Sequence, residues 1–151
     1  MRVALAEDDH VLVEAGIVGR EIEIAVLGSR RGERARASVA GEIVMTSAEF
    51  YDFESKYLDG SAVRLDCPAE LEPELLAEAQ ELAVRAFEAL GAEGLARVDF
   101  FLDADGFVVN EVNTMPGFTP ISMFPKCWAA TGLDYPALIA ELIDLGLAAR
   151  R

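Results

Sequence analysis

Two runs of strand-forming residues flank a short acidic turn, and no other feature of the chain narrows its fold as much. Arg97-Val98-Asp99-Phe100-Phe101-Leu102 leads into Asp103-Ala104-Asp105-Gly106, and Phe107-Val108-Val109-Asn110-Glu111-Val112-Asn113 leads away. Asp bonds its own backbone two residues on and Gly tolerates positive φ, so this turn composition between two β-rich runs predicts an antiparallel hairpin. Residues two apart on a strand share a face, which puts Arg97 beside Asp99 and Glu111 beside Asn113. Carboxylate and amide oxygens suit Mg2+, which takes a few protein oxygens and completes its shell with water or substrate phosphate. Asp99, Glu111 and Asn113 are therefore candidate metal ligands. Arg97 is a candidate phosphate contact, because its planar fork matches phosphate geometry. Polar residues that interrupt otherwise buried strands are what a site leaves in a sequence. The Asp-x-Asp-Gly itself reads as turn chemistry alone. Register is the condition: a loop of residues 103 to 106 sets Asp99 opposite Asn110 and turns Glu111 to the other face, and a bulge near Gly106 restores the shared face.

The remaining periodicities predict an α+β fold, mainly an antiparallel sheet with flanking helices. Val11 to Ile17 and Glu21 to Leu27 alternate as strands do, with Gly16 and Gly19 bounding the link. Arg34 to Ala40 and Glu42 to Met45 read as two more strands around Gly41. Glu72 to Leu90 is helical: Pro73 lies in the first turn, Leu75, Leu76, Ala79, Leu82, Ala83, Ala86 and Leu90 share a face, and Gly91 ends it. Tyr135 to Leu147 is a second amphipathic helix with Asp134 as N-cap. Between the early strands and the first of these helices, Thr46 to Gly60 is a long polar loop carrying Phe50, Tyr51, Phe53 and Tyr57 among acidic residues. Such a length inside a compact domain points to a lid or binding loop, although Phe50 and Phe53 also suit packing onto the body.

Composition excludes some classes. A formal charge of -14 repels nucleic-acid backbones and anionic membrane surfaces. No run of 18 apolar residues suggests a span, and residues 1–10 lack the apolar core and cleavage site of a signal peptide, reading instead as the tail of a helix. Cytoplasmic residence follows as the expectation. The apolar fraction of 52% and mean hydropathy of +0.24 are high for a small domain, as for a core with one face that more chain should cover. Cys67 and Cys127 lack metal-ligand spacing and are expected as reduced thiols. His10, the only histidine, sits beside Asp8 and Asp9 and is expected at the surface.

At the hairpin the chain resembles an ATP-grasp ligase, and its wider wording resembles the D-alanine-D-alanine ligases of bacterial cell-wall synthesis. The likeness rests on Gly19-Arg20-Glu21-Ile22-Glu23, on Phe50-Tyr51-Asp52-Phe53-Glu54-Ser55-Lys56-Tyr57, on Arg97-Val98-Asp99 and on Asn110-Glu111-Val112-Asn113-Thr114-Met115-Pro116-Gly117. It runs from about residue 8 to the end and implies that residues 1–151 are a partial ATP-grasp domain, the C-terminal part of a ligase whose N-terminal domain lies outside this sequence. The resemblance implies ATP and two Mg2+ ions as cofactors, with Mn2+ as a substitute, and D-alanine as substrate. It makes Glu14, Ala15, Gly16 and Ile17 the adenine hinge, gives Glu21 the ribose hydroxyls, and adds Lys56 and Asn110 to the nucleotide site. Taken alone, Glu14 equally suits the solvent face of a strand, and Glu21 and Glu23 alternate in phase, so only the resemblance chooses Glu21.

The resemblance further implies that Tyr57 on the lid completes the site for the second D-alanine and favours an amine acceptor. Gly117 offers its backbone at the reacting carbonyl, and Ser122 and Met123 bind the acceptor carboxylate. Ser122 also fits a helix N-cap, and Met123 stands where leucine is expected. The implied chemistry is phosphorylation of one D-alanine carboxylate by ATP, then attack of a second amine on the acyl phosphate, with Arg97 and Gly117 facing the oxyanion. A homodimer is compatible with this reading. A nucleotide-binding or interaction module without catalysis, and an ATP-grasp ligase with another acceptor, are the alternatives.

Overall fold

The computed structural model describes residues 3–29, 33–45 and 63–148. After a single turn of helix, α1 (Ala4–Glu7), the chain runs without regular structure to β1 (Arg20–Leu27), then β2 (Arg36–Met45), β3 (Val63–Asp66), α2 (Pro73–Ala89), β4 (Leu95–Asp103), β5 (Gly106–Asn113), α3 (Met123–Thr131) and α4 (Tyr135–Ala148). The five strands form one antiparallel sheet in the order β3-β2-β1-β4-β5.

Alternation sorts the side chains of β1 and β4 between the two faces. Ile22, Ile24 and Val26 lie against Phe100, Val98 and Ala96 in register, and this face packs on Ala79, Ala83 and Phe87 of α2. Each fully buried large side chain in that layer, such as Phe100 or Ile24, contributes about 1.5–3 kcal/mol relative to exposure. α2 opens on Pro73, whose missing N–H costs nothing at a helix start, and closes before Gly91, which adopts φ +62°. On the opposite face, Ala25 and Leu27 meet Met123, Phe124, Cys127 and Trp128 of α3 and Leu138 of α4. Asp134 caps α4 as expected, its carboxylate accepting from the Ala137 N–H at 2.9 Å.

Three expectations change. Val11 to Ile17 is not a strand: the segment pairs with nothing among the described residues, and Leu12 and Val13 are 81% and 72% exposed. Alternation supplies a strand's faces but not its neighbour. The two short strands expected around Gly41 are one continuous β2, because glycine there accepts the extended backbone and leaves the space that the Met123 side chain fills. β3 was not legible, since Arg64 and Asp66 mask its pattern; they pair with each other at 2.7 Å, the charged dressing of an edge strand.

Candidate active site

The face of the sheet that carries α3 and α4 also carries the charges. Cα register aligns Gly41 on β2, Glu23 on β1, Asp99 on β4 and Glu111 on β5 in one lateral row. Neighbouring strands lie about 4.8 Å apart, so three carboxylates occupy successive positions across three strands. Arg97 sits one row away, opposite Asn113 on β5 and Ala25 on β1. Met123, at the start of α3, closes the row at its Gly41 end.

Hairpin register is what brings Glu111 to Asp99. The turn is tighter than a four-residue loop: Asp103 pairs with Gly106, leaving Ala104 and Asp105 at the tip, and Gly106 takes φ +118°. Pairing then runs to Phe100 opposite Val109, where it shifts by one, and Asp99 stands opposite Glu111 and Arg97 opposite Asn113. The bulge needed for a shared face therefore exists, but at Asn110 rather than near Gly106. Asn110 is the extra residue and is exposed. A bulge re-aims the strand that bears it, and here it carries Glu111 and Asn113 to the α3 face.

The guanidinium of Arg97 organises the row. Its Nε and Nη2 each donate to an oxygen of Asp99 at 2.7 Å, and Nη2 lies 3.4 Å from Glu23 Oε1. Burial works against this cation, yet the Asp99 hydrogen bonds and the charges of Glu23, Asp99 and Glu111 more than offset it and raise its pKa. Glu23, only 4% exposed, is pushed up to about 7 by burial, with Arg97 opposing and the Asp99, Glu21 and Glu111 charges adding to the rise. Glu23 is the residue that sequence reasoning passed over in favour of Glu21. The signal was a charge in phase with Glu21 on an apolar strand, but its significance depends on β1 lying beside β4, a non-local fact.

Glu21 lies on the same face one row from Glu23, opposite Phe101 and Ile43, and is half-buried. Gly117 and Ser122 are brought together: a Cβ at Gly117 would sit 2.9 Å from Ser122 Oγ. The Ser122 hydroxyl makes no capping bond to α3; it accepts from the Thr119 N–H at 3.1 Å and pairs with the Thr119 hydroxyl at 2.8 Å. Glu14, Ala15, Gly16 and Ile17 lie on the irregular segment before β1, where Glu14 is exposed and has no hydrogen bond or ion pair among the described residues. The structure does not join them to the carboxylate row. Lys56 and Tyr57, with the rest of the expected lid, lie outside the described residues.

The donor chemistry suits a hard cation in an open arrangement. Among the described residues no group of three or more His, Cys, Asp or Glu surrounds a common point. Arg97 occupies both Asp99 oxygens, and the Asn113 Oδ1 accepts from the Met115 N–H at 3.0 Å. Glu111 is exposed and unpaired among the described residues, and three carboxylates against one guanidinium leave surplus negative charge. Such a set suits a cation that brings phosphate oxygens with it, rather than one held in an all-protein cage.

The profile of the family described as "D-ala D-ala ligase C-terminus" matches residues 1–144. The D-alanine--D-alanine ligase of Kineococcus radiotolerans is 56% identical over 149 residues, which are 95% of this chain and 40% of that protein. Among solved structures, D-alanyl-alanine synthetase A from Vibrio cholerae is 34% identical at a TM-score of 0.77, covering 95% of this chain and 43% of that one. The D-alanine--D-alanine ligase from Bacillus anthracis complexed with ATP is 30% identical at a TM-score of 0.70, covering 89% and 42%. The chain thus spans about 40% of the length of the curated relative, and no helix among the described residues is long and apolar enough to cross a membrane.

Proposed function

The chain belongs to the D-alanine-D-alanine ligase C-terminal family, and from that membership we propose that it supplies the nucleotide and acceptor surfaces of a cytoplasmic ATP-dependent ligase. The substrates are two D-alanines and the product is D-alanyl-D-alanine for peptidoglycan synthesis. Residues 1–151 act as the C-terminal part of an ATP-grasp domain. The observation that carries this reading is the lateral row of Glu23, Asp99 and Glu111 under the Arg97 guanidinium, which the Asn110 bulge completes.

Asp99, Glu111 and Asn113 would hold Mg2+, or Mn2+ in its place; when bound, the ions neutralise phosphate charge during phosphoryl transfer. Arg97 opposes charge on the transferring phosphoryl group and, with the Gly117 backbone, on the oxyanion formed when the second amine attacks the acyl phosphate. Anchoring of Arg97 by both Asp99 oxygens fixes the fork before substrate arrives, so less reorganisation is needed as charge develops. Glu21 accepts from the ribose hydroxyls, the backbone of Glu14 to Ile17 reads the adenine edge, and Asn110 and Lys56 add nucleotide contacts. Ser122 and Met123 receive the acceptor carboxylate at the start of α3, where the helix N-terminus favours an anion, and Tyr57 closes the acceptor side.

The test is a graft. Exchanged for the matching 149 residues of the Kineococcus radiotolerans ligase, the chain should give an enzyme that forms D-alanyl-D-alanine and ADP with ATP and Mg2+. A chimera that melts cooperatively yet forms neither product contradicts the proposal. Dipeptides made with another acceptor in preference to D-alanine would overturn the substrate assignment alone.

A further inference from the structure

We propose that Cys67 and Cys127 form a hydroperoxide-responsive modification site, in which Cys67 is oxidised first and Cys127 then closes an intramolecular disulfide. The two sulfurs lie 3.6 Å apart although the residues are separated by 60 positions, one following β3 and the other on α3. A disulfide needs a sulfur separation of about 2.05 Å, so a relative shift of roughly 1.5 Å completes the bond. Neither cysteine belongs to the carboxylate row of Glu23, Asp99 and Glu111.

The two environments divide the labour. Cys67 is half-exposed and lies in the connection between β3 and α2, where a small oxidant can reach it. Cys127 is 1% exposed, packed among Leu27, Phe124, Trp128 and Leu138, and has Cys67 as its sulfur neighbour. The hydrogen-bonded contact with the Cys127 thiol holds the Cys67 thiol below the usual range, with half-burial opposing and the Lys126 charge assisting. The same contact, with burial, pushes the Cys127 thiol up. Only the thiolate is nucleophilic, so Cys67 is the thiol that attacks.

The chemistry balances with a hydroperoxide as the two-electron oxidant. The Cys67 thiolate attacks the terminal peroxide oxygen; the O–O bond breaks, the sulfur becomes a sulfenic acid, and hydroxide leaves from hydrogen peroxide or the alkoxide from an organic hydroperoxide. Conversion to the sulfenic acid removes the Cys67 thiolate charge that opposes ionisation of Cys127, so Cys127 gives up its proton and its sulfur attacks the Cys67 sulfur; the S–O bond breaks and the proton leaves with the oxygen as water. α3 is fixed on β2, where Met123 fills the space above Gly41 so closely that a Cβ could not be added without displacing it. A closed bridge therefore pins the β3–α2 connection to the helix that begins at Ser122.

The experiment is oxidation of the 151-residue chain with hydrogen peroxide, followed by alkylation of remaining thiols, digestion without reductant and mass spectrometry. The expected product is a monomer two hydrogens lighter, with the Cys67 and Cys127 peptides linked and released by dithiothreitol. Before oxidation, Cys67 should alkylate about tenfold or more faster than Cys127. In Cys127→Ser the reaction should stop at a Cys67 sulfenic acid that dimedone traps, and in Cys67→Ser residue 127 should stay reduced. Sulfinic or sulfonic acid on Cys67 with Cys127 untouched, disulfides only between chains, or no reaction at either thiol would overturn the proposal.

Discussion

Replacing Arg97 by Met removes the one cation among the described residues that pairs with the carboxylate row and leaves its neighbours in place. The Arg97 side chain is 19% exposed, with the Asp99 and Glu23 side chains at 13% and 6%. Breaking a buried pair by removing one partner costs about 3–5 kcal/mol, because the other charge stays buried without compensation. Some solvent reaches Asp99, so about 2–4 kcal/mol is expected here. For a domain of this size each kcal/mol moves Tm by about 2–4 °C, which sets the fall at roughly 5–15 °C. Circular-dichroism melts at fixed chain concentration measure it. If repulsion within the row is the cause, the same change in an Asp99→Asn background should cost less, with a coupling of about 1–3 kcal/mol. An unchanged Tm, or strictly additive losses, would refute the claim that Arg97 neutralises this row.

Two further outcomes follow from the same geometry. Glu111→Gln should change stability by no more than about 0.5 kcal/mol, since the side chain is exposed and unpaired among the described residues, while the grafted enzyme should need more Mg2+ to reach half its maximal rate; an unaltered Mg2+ titration removes Glu111 from the proposed ligand set. Gly41→Ala should cost about 1–3 kcal/mol by forcing the Met123 side chain aside, less in a Met123→Ala background, and a thermal melt showing no loss would mean that α3 is not seated on β2 at this point.

Local chemistry made much of this fold readable. Asp103 and Gly106 marked the turn, Pro73 and Gly91 bracketed α2, and Asp134 capped α4, because each acts within a few residues of itself. Val11 to Ile17 was misread for the complementary reason: alternation describes a strand's two faces but says nothing of a pairing neighbour, and none is present among the described residues. The candidate site divides along the same line. That Arg97 and Asp99 share a face follows from spacing alone, whereas the position of Glu111 rests on a bulge at Asn110 that no residue there announces. Glu23 could be recognised only once β1 lay beside β4, which depends on sheet order. Ser122 precedes α3 as a cap would, but its hydroxyl turns to Thr119, a choice that depends on the Thr114 to Ile121 connection.

Paramagnetic broadening by Mn2+ with ATP, read on the assigned amide spectrum of the chain, tests the central claim most directly, since Mn2+ takes the same oxygen ligands as Mg2+. The amide signals of Asp99, Glu111 and Asn113 should be lost first, those of Glu21 and Glu23 next, and excess Mg2+ should restore them. Broadening that ignores ATP, or that centres on another acidic stretch such as Glu7 to Asp9 or Glu70 to Glu74, would contradict the assignment of the hairpin face as the metal-nucleotide site.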